Sequence, residues 1–306
     1  MLKYLLKRLG VSIATLLVII SISFFMIRIA PGGPFASTRK APPEVILNLN
    51  KVYHLDEPLY EQFGRYLWGV AHFDFGPSFK YRDYTVWELI SRGFPVSLRL
   101  GLWGLFFAAV GGVSLGTWAA IRQNSIVDYL AMTVGMAGVA IPSYIMAAFY
   151  QMFFGILLGW LPVGGWDGSW SHMVLPVLVM ALPGIADIAR LTRGSMIDSL
   201  RSHHVRTARA KGMGPWLTVF RHALIGGLMP LIAYLGPATA GIVTGSVVVE
   251  RAFSIPGIGR YFVEAASNRD YTMVMGTVIF YGMLIILANL AVDLIYALVD
   301  PKVRYE

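Results

Sequence analysis

Between two long apolar runs lies RLTRGSMIDSLRSHHVRTARAKGMGPWLTVFRH, a basic segment that covers residues 190–222. It holds seven Lys and Arg side chains and one acid, Asp198, so this segment carries most of the positive charge of a chain whose formal net charge is +8. Lys and Arg near the ends of membrane spans stay on the cytoplasmic side. The segment therefore predicts a cytoplasmic loop that a soluble partner meets from inside the cell.

The composition of the chain is that of a membrane protein. Apolar residues make up 56% of its 306 residues, charged residues 14%, and the mean hydropathy is +0.62. A single soluble core of this length buries far less apolar surface, so the bilayer is the expected solvent. The basic residues lie in short loops beside apolar runs, where membrane orientation explains them and no nucleic-acid partner is expected. The chain has no Cys, which excludes disulfides and a Cys nucleophile.

The apolar runs predict an all-α integral membrane protein with six transmembrane helices and both termini in the cytoplasm. Each run is long enough to cross a hydrocarbon core at about 1.5 Å per residue. The long third run is assigned one crossing, kinked at Pro142, because Arg122 and the basic segment must both lie inside. The predicted spans are residues 9–27, 100–121, 129–161, 172–189, 223–249 and 272–292.

Residues 28–96 are polar and form a predicted extracytoplasmic insert after the first span. Apolar side chains at helical spacing after Pro58 predict one helix within this insert. Thr85 and Glu88 form a capping-box pattern, which predicts a further short helix. We interpret both as small helices that lie over the membrane face.

Two local patterns suggest enzyme or metal chemistry, but each has a structural alternative. Gly112, Ser114 and Gly116 match the G-x-S-x-G nucleophile elbow, yet they lie inside a predicted span, where small residues at this spacing favour helix packing. His203 and His204 point about 100° apart on a helix, and no acidic ligand stands near them. The P-loop pattern is absent from the sequence. We expect no catalytic residue, bound cofactor or metal site in this chain.

Two acids, Asp187 and Asp293, lie within or at the edge of apolar runs, where ionisable residues are rare and functional. Asp187 is predicted to pair with Arg190 one turn away or, less easily, with Arg193. A proton relay is the alternative interpretation for Asp187. Asp293 is left open between an interhelical hydrogen bond and a contact with another subunit.

The centre of the basic segment resembles the EAA loop of ABC importer permeases. Residues 206–212 read RTARAKG and residues 222–224 read HAL, against the general pattern E-A-A-x3-G-x9-I-x-L-P. Four positions depart from this pattern, namely Arg206, Thr207, His222 and Ile225. These departures resemble the residues that usually occupy the same positions in the peptide-transporter branch of the family.

Further motifs extend the resemblance over almost the whole chain. They are APGGP at 30–34, HFDFGPS at 72–78, GSVVVE at 245–250, FSIPGIG at 253–259 and DPK at 300–302. Together these motifs look like the B-type permease subunit of oligopeptide and dipeptide importers. Related subunits carry nickel or glycosides, so such a cargo is the alternative. A proton-coupled secondary transporter is a more remote one, because midspan acids and broken inverted repeats are not evident.

The resemblance implies a set of partners in a bacterial inner membrane. They are a second homologous permease, two cytosolic ATPases that use ATP and Mg, an extracytoplasmic peptide-binding protein and the lipid bilayer. A short coupling helix, stopped at Gly212 and Pro215, would dock into a cleft on an ATPase. It comprises Arg206, Thr207, Ala208, Arg209, Ala210, Lys211 and Gly212. The small side chains of Ala208 and Ala210 are predicted to permit close approach to that cleft.

Overall fold

The structure is a computed structural model that describes residues 2–29, 54–81 and 83–299. Within these ranges the regular secondary structure is helical, and one isolated bridge joins Pro77 to Thr85. The predicted all-α class is therefore confirmed. The motifs at 30–34 and 300–302, and the first part of the predicted insert, lie outside the described residues.

The described residues form eleven α-helices of four to 36 residues. They are α1 (Leu2–Ile29), α2 (Leu59–Ala71), α3 (Val86–Ile121), α4 (Ile126–Ala140), α5 (Ser143–Tyr150), α6 (Trp170–Leu200), α7 (His203–Ala210), α8 (Pro215–Thr218), α9 (Leu224–Ala252), α10 (Ile258–Asn268) and α11 (Tyr271–Val299). Two π-helical segments, Gln151–Leu157 and Val219–Ala223, follow α5 and α8.

Five of these helical stretches are long and apolar enough to cross a membrane, and the bent pair of α4 and α5 raises the number to six if it is one span. The five contain α1, α3, α6, α9 and α11. The number agrees with the predicted six spans, whereas the sidedness of the chain stays a prediction. Helix α6 continues to Leu200, so the first eleven residues of the basic segment are helical.

The capping box predicted near the end of the insert is present. The backbone N–H of Thr85 donates to Glu88 Oε2 at 2.8 Å, and the backbone N–H of Glu88 donates to Thr85 Oγ1 at 3.2 Å. The helix that it opens is not short, as the sequence pattern suggested, because α3 runs on for 36 residues and includes Pro95. The capping box therefore starts a span-length helix.

The third apolar run breaks at the proline that the sequence indicates. Helix α4 ends at Ala140, Pro142 caps α5, and the two helices are bent by 101°. The π-helical segment after α5 begins with Gln151, whose side-chain amide donates to the carbonyls of Val163 at 2.6 Å and Ala252 at 3.1 Å. These hydrogen bonds hold the end of the bent pair against the end of α9.

The chain divides into two compact units, residues 1–96 with 256–286 and residues 97–255 with 287–306. In the second unit, glycines bring α3 against α6. A Cβ on Gly112 would lie 2.6 Å from the side chain of Ile188, and one on Gly116 would lie 2.4 Å from the carbonyl oxygen of Ala189. The G-x-S-x-G pattern is thus a helix-packing surface, as the structural interpretation predicted.

A buried ion pair joins α4 to α6 in the same unit. Arg193 Nε lies 2.6 Å from Asp128 Oδ1, and Arg193 Nη2 lies 2.7 Å from Asp128 Oδ2. The Asp128 carboxylate also accepts the backbone N–H of Asn124 at 2.9 Å, and Asp128 is only 1% exposed. This two-pronged geometry is the strong form of an Arg–carboxylate contact.

The first unit is organised by Glu264 on α10. Its carboxylate accepts hydrogen bonds from Tyr81 Oη at 2.6 Å, Arg260 Nε at 2.9 Å and Lys80 Nζ at 3.3 Å. Burial raises the pKa of Glu264, but these three donors outweigh it and hold the pKa at about 2. The carboxylate is therefore ionised near neutral pH and ties the segment after the HFDFGPS motif to α10.

Removal of the Arg193 charge is predicted to destabilise the chain strongly. Arg193→Met leaves the buried Asp128 carboxylate unpaired, which costs about 3–5 kcal/mol. Thermal unfolding of the purified protein in detergent would measure the loss. Arg190→Met is the matched control, because the Arg190 side chain is 56% exposed and its carboxylate partner lies 3.8 Å away. Equal destabilisation by the two variants would contradict the structural role of the buried pair.

Candidate functional site

The candidate site is α7, the helix at the centre of the basic segment. Ser202 precedes it in an extended conformation, with φ −65° and ψ 157°. At the other end, Gly212 takes φ +79°, a left-handed conformation that glycine adopts without steric cost. The N–H of Gly212 donates to the carbonyl of Arg209 at 2.9 Å, and that of Met213 to the carbonyl of Ala208 at 3.3 Å. This is a Schellman end, so the predicted stop at Gly212 is confirmed.

One face of α7 is buried in its own chain. Val205 is 0% exposed and Ala208 is 5% exposed. Val205 belongs to an apolar cluster with Ala120 on α3, Met196 on α6, and Val219 and Ala223 of the π-helical segment before α9. Ala208, whose small side chain was expected to permit close approach to a partner, is instead packed inside the second unit.

The other face of α7 is exposed. It carries Arg206, Thr207, Arg209 and Ala210, and the exposed Lys211 follows directly. Thr207 Oγ1 donates to the carbonyl of His203 at 2.9 Å, within the helix. Most of the predicted coupling residues thus form one basic surface, and Ala210 is the small residue that a close partner can approach.

Side-chain hydrogen bonds hold the neighbouring segments together around the start of α7. Ser199 Oγ donates to the carbonyl of Ala223 at 2.7 Å, and Ser202 Oγ donates to the carbonyl of Ser199 at 2.6 Å. A ring nitrogen of His204 lies 3.2 Å from the carbonyl oxygen of His222. His204 therefore contacts the π-helical segment before α9, in keeping with a structural interpretation of the His pair.

An apolar surface beside α7 was missed by sequence reasoning. Trp216, Leu217 and Phe220 are 67%, 51% and 58% exposed, and the rings of Trp216 and Phe220 stack at 6.1 Å. Exposed aromatic side chains next to a span end are typical of the membrane interface. The sequence WLTVF contains these apolar and aromatic residues, but it was interpreted together with the basic residues around it.

The acids in the apolar runs have different surroundings. Asp187 Oδ1 lies 3.8 Å from Arg190 Nη2, and Asp187 Oδ2 accepts a 3.3 Å hydrogen bond from Tyr234. Arg193, the less favoured partner in the sequence interpretation, binds Asp128 instead. Asp293 lies on α11 and is partly buried, and both interpretations of it stay open. Neither Asp128 nor Tyr234 was singled out from the sequence, because their partners lie 65 and 47 positions away.

Comparisons with known proteins give one answer over the whole chain. Residues 112–305 match the family described as "Binding-protein-dependent transport system inner membrane component", and residues 1–101 match the N-terminal family of the same membrane components. The basic segment and α7 lie within the first match.

Relatives with assigned names cover the chain from end to end. It is 49% identical over 306 residues, all of both chains, to "Oligopeptide transport system permease protein OppB" of Haemophilus influenzae, and 50% identical over the same length to its namesake in Escherichia coli. It is 42% identical to "Dipeptide transport system permease protein DppB" of Bacillus subtilis, over 99% of this chain and 98% of that one.

Among solved structures, the fold is similar to "Inward facing conformations of the MetNI methionine ABC transporter". The TM-score is 0.56 at 18% identity, and the match covers 69% of this chain and 96% of that one. An amino acid ABC transporter matches with a TM-score of 0.51 at 12% identity. These likenesses concern the fold alone. The full-length relatives and the family matches agree with the permease motifs, and the chain belongs to the family of binding-protein-dependent transport system inner membrane components.

Proposed function

We propose that this chain is the B-type permease subunit of an ABC importer for oligopeptides or dipeptides, and that it forms half of the translocation pathway. The observation that carries the proposal is full-length identity of 42–50% to permeases named for oligopeptide and dipeptide transport. A second homologous permease supplies the other half of the pathway. An extracytoplasmic peptide-binding protein delivers the substrate.

Energy for transport comes from two cytosolic ATPase subunits, which bind ATP and Mg. This chain contributes a docking helix in place of a nucleotide site. The basic, exposed face of α7 seats in a cleft on an ATPase, and the chain is held there by Arg206, Arg209 and Lys211. Arginine and lysine in such a position also favour rapid, correctly oriented association with an acidic cleft.

The packing of α7 provides a route for movement into the membrane. When the ATPases close on ATP, they displace the exposed face of α7. The opposite face is buried against Met196 on α6 and Ala223 of the π-helical segment that continues into α9, so these helices move with it. Helix α6 is clamped in turn to α4 by Arg193 and Asp128. Motion at the cytosolic surface thus reaches three segments of the bundle together.

The substrate class is tested by transport in a defined system. We predict that the chain copurifies with a second permease and two ATPases. In proteoliposomes that contain this complex, labelled peptides of differing side chains should accumulate with ATP, in the order of their affinity for the binding protein. Accumulation of a nickel chelate or a glycoside, but not of peptides, would contradict the peptide assignment. Transport by the solitary chain would contradict the ABC mechanism.

The role of α7 is tested at the glycine that ends it. Gly212→Val places a β-branched residue at φ +79°, which costs about 1–2 kcal/mol and redirects the end of the helix. We predict that uptake and substrate-stimulated ATPase activity fall while the complex still assembles in the membrane.

Gly214→Val is the matched control for this variant. Gly214 has φ −62°, and a Cβ at either glycine meets no atom within 4 Å, so the two positions differ in backbone conformation and not in space. The Gly214 variant should keep most of its coupled activity. Near-normal coupling in the Gly212 variant would mean that α7 is not the transmission element.

A further inference from the structure

A cavity of about 210 Å³ lies between α3, α5, α6 and α9 in the second unit. Its wall includes the small residues Gly184, Ala238 and Gly241, together with the polar side chains of Ser143 and Tyr234. Among the described residues that line it, Asp187 is the single acidic or basic residue. An acid on a wall of this kind, within the apolar part of the bundle, marks a path for a substrate or an ion.

The contacts of Asp187 leave its carboxylate open to a further donor. The Tyr234 hydroxyl is 3.3 Å from Oδ2 and the Arg190 guanidinium is 3.8 Å from Oδ1, and both distances are long for contacts to a charged group. A carboxylate has about four acceptor positions, so most of them are unfilled by these two groups. Asp187 is also 43% exposed.

The neighbouring ion pair between Arg193 on α6 and Asp128 on α4 shows what a structural carboxylate looks like in this protein. Asp128 is 1% exposed and is held by two short bonds from Arg193 and one from a backbone N–H. Asp187 has neither the burial nor the short bonds. The two acids therefore serve different purposes: Asp128 fixes helices, whereas Asp187 is placed to exchange partners.

We propose that Asp187 contacts the substrate and binds its α-ammonium group. This inference rests on the proposed function, because the α-ammonium is the cation that peptides share whatever their side chains. Three N–H donors of an ammonium match a carboxylate that has the hydroxyls of Tyr234 and Ser143 on the same cavity wall. The small residues of the wall leave room for varied side chains. Arg190 competes with the incoming cation, which keeps binding weak enough for release.

A single cysteine reports on this site, because the chain has none of its own. Ser143→Cys places a thiol on the cavity wall with little change in size. In the purified whole transporter, a trimethylammonium methanethiosulfonate should modify this thiol faster than a sulfonate analogue of similar size. We predict that Asp187→Asn lowers the ratio of the two rates about tenfold or more, as expected for loss of one nearby charge. Asp187→Glu should retain the preference.

Asp198→Asn is the matched control, since Asp198 is an exposed acid on the same helix and does not line the cavity. It should leave the ratio of rates unchanged. An unchanged ratio in the Asp187→Asn transporter would overturn the proposal, and so would an equal loss in both variants.

Protection by peptides distinguishes the ammonium site at Asp187 from the proposed function in peptide import. A peptide with a free amino terminus should protect the thiol from modification, its N-acetyl analogue should not, and Asp187→Asn should abolish the difference. Equal protection by both peptides would refute the ammonium site and leave peptide import standing. Protection by neither peptide would also overturn the ammonium site, and failure of ATP-driven peptide uptake by the transporter that retains Ser143 would refute the proposed function itself.

Discussion

The burial of Val205 and Ala208 is the contact on which the account of this protein depends. An isolated helix of eight residues is not stable in water, because nucleation costs more than so few hydrogen bonds return. Helix α7 exists because its apolar side packs on α3, α6 and the segment before α9. That packing also makes α7 part of the helix bundle. A force on its exposed basic face is therefore transmitted to the apolar helices against which its buried face packs.

Charge has two uses within the second unit, and geometry distinguishes them. The pair of Arg193 and Asp128 is short, bidentate and buried, which suits a fixed joint between α4 and α6. The pair of Arg190 and Asp187, one turn earlier on α6, is long and exposed. A transporter needs both kinds, since rigid helices transmit force only if they are held together, and a pathway releases its cargo only if its contacts are weak.

Much of the architecture could be predicted because it follows from local rules. Charge-free runs of sufficient length indicate spans, Pro142 marks the break between α4 and α5, and Gly212 marks the end of α7. The Thr85 capping box could also be predicted, but this pattern shows only where a helix starts. The length of α3 depends on the residues that follow, and the helix continues past Pro95.

Other features depend on contacts between residues that are distant in the sequence. Local sequence patterns do not predict such contacts. The partner of Arg193 is 65 residues away on another helix, so a search within one helical turn cannot find it. The burial of Ala208 could not be predicted for a related reason. A helix with alanines on two faces offers either one to a partner, and only the packing of Val205 beside Ala208 decides which face is inside.

The claim that the exposed face of α7 contacts an ATPase is tested most directly by cross-linking in the assembled transporter. A photoreactive amino acid at the exposed Thr207 is predicted to form a covalent adduct with an ATPase subunit, in a yield that changes when ATP is added. The same group at Trp160, which is 69% exposed and predicted to lie on the opposite side of the membrane, should give no such adduct. Absence of the adduct from position 207 in an intact, active complex, or an equal yield from position 160, would contradict the account.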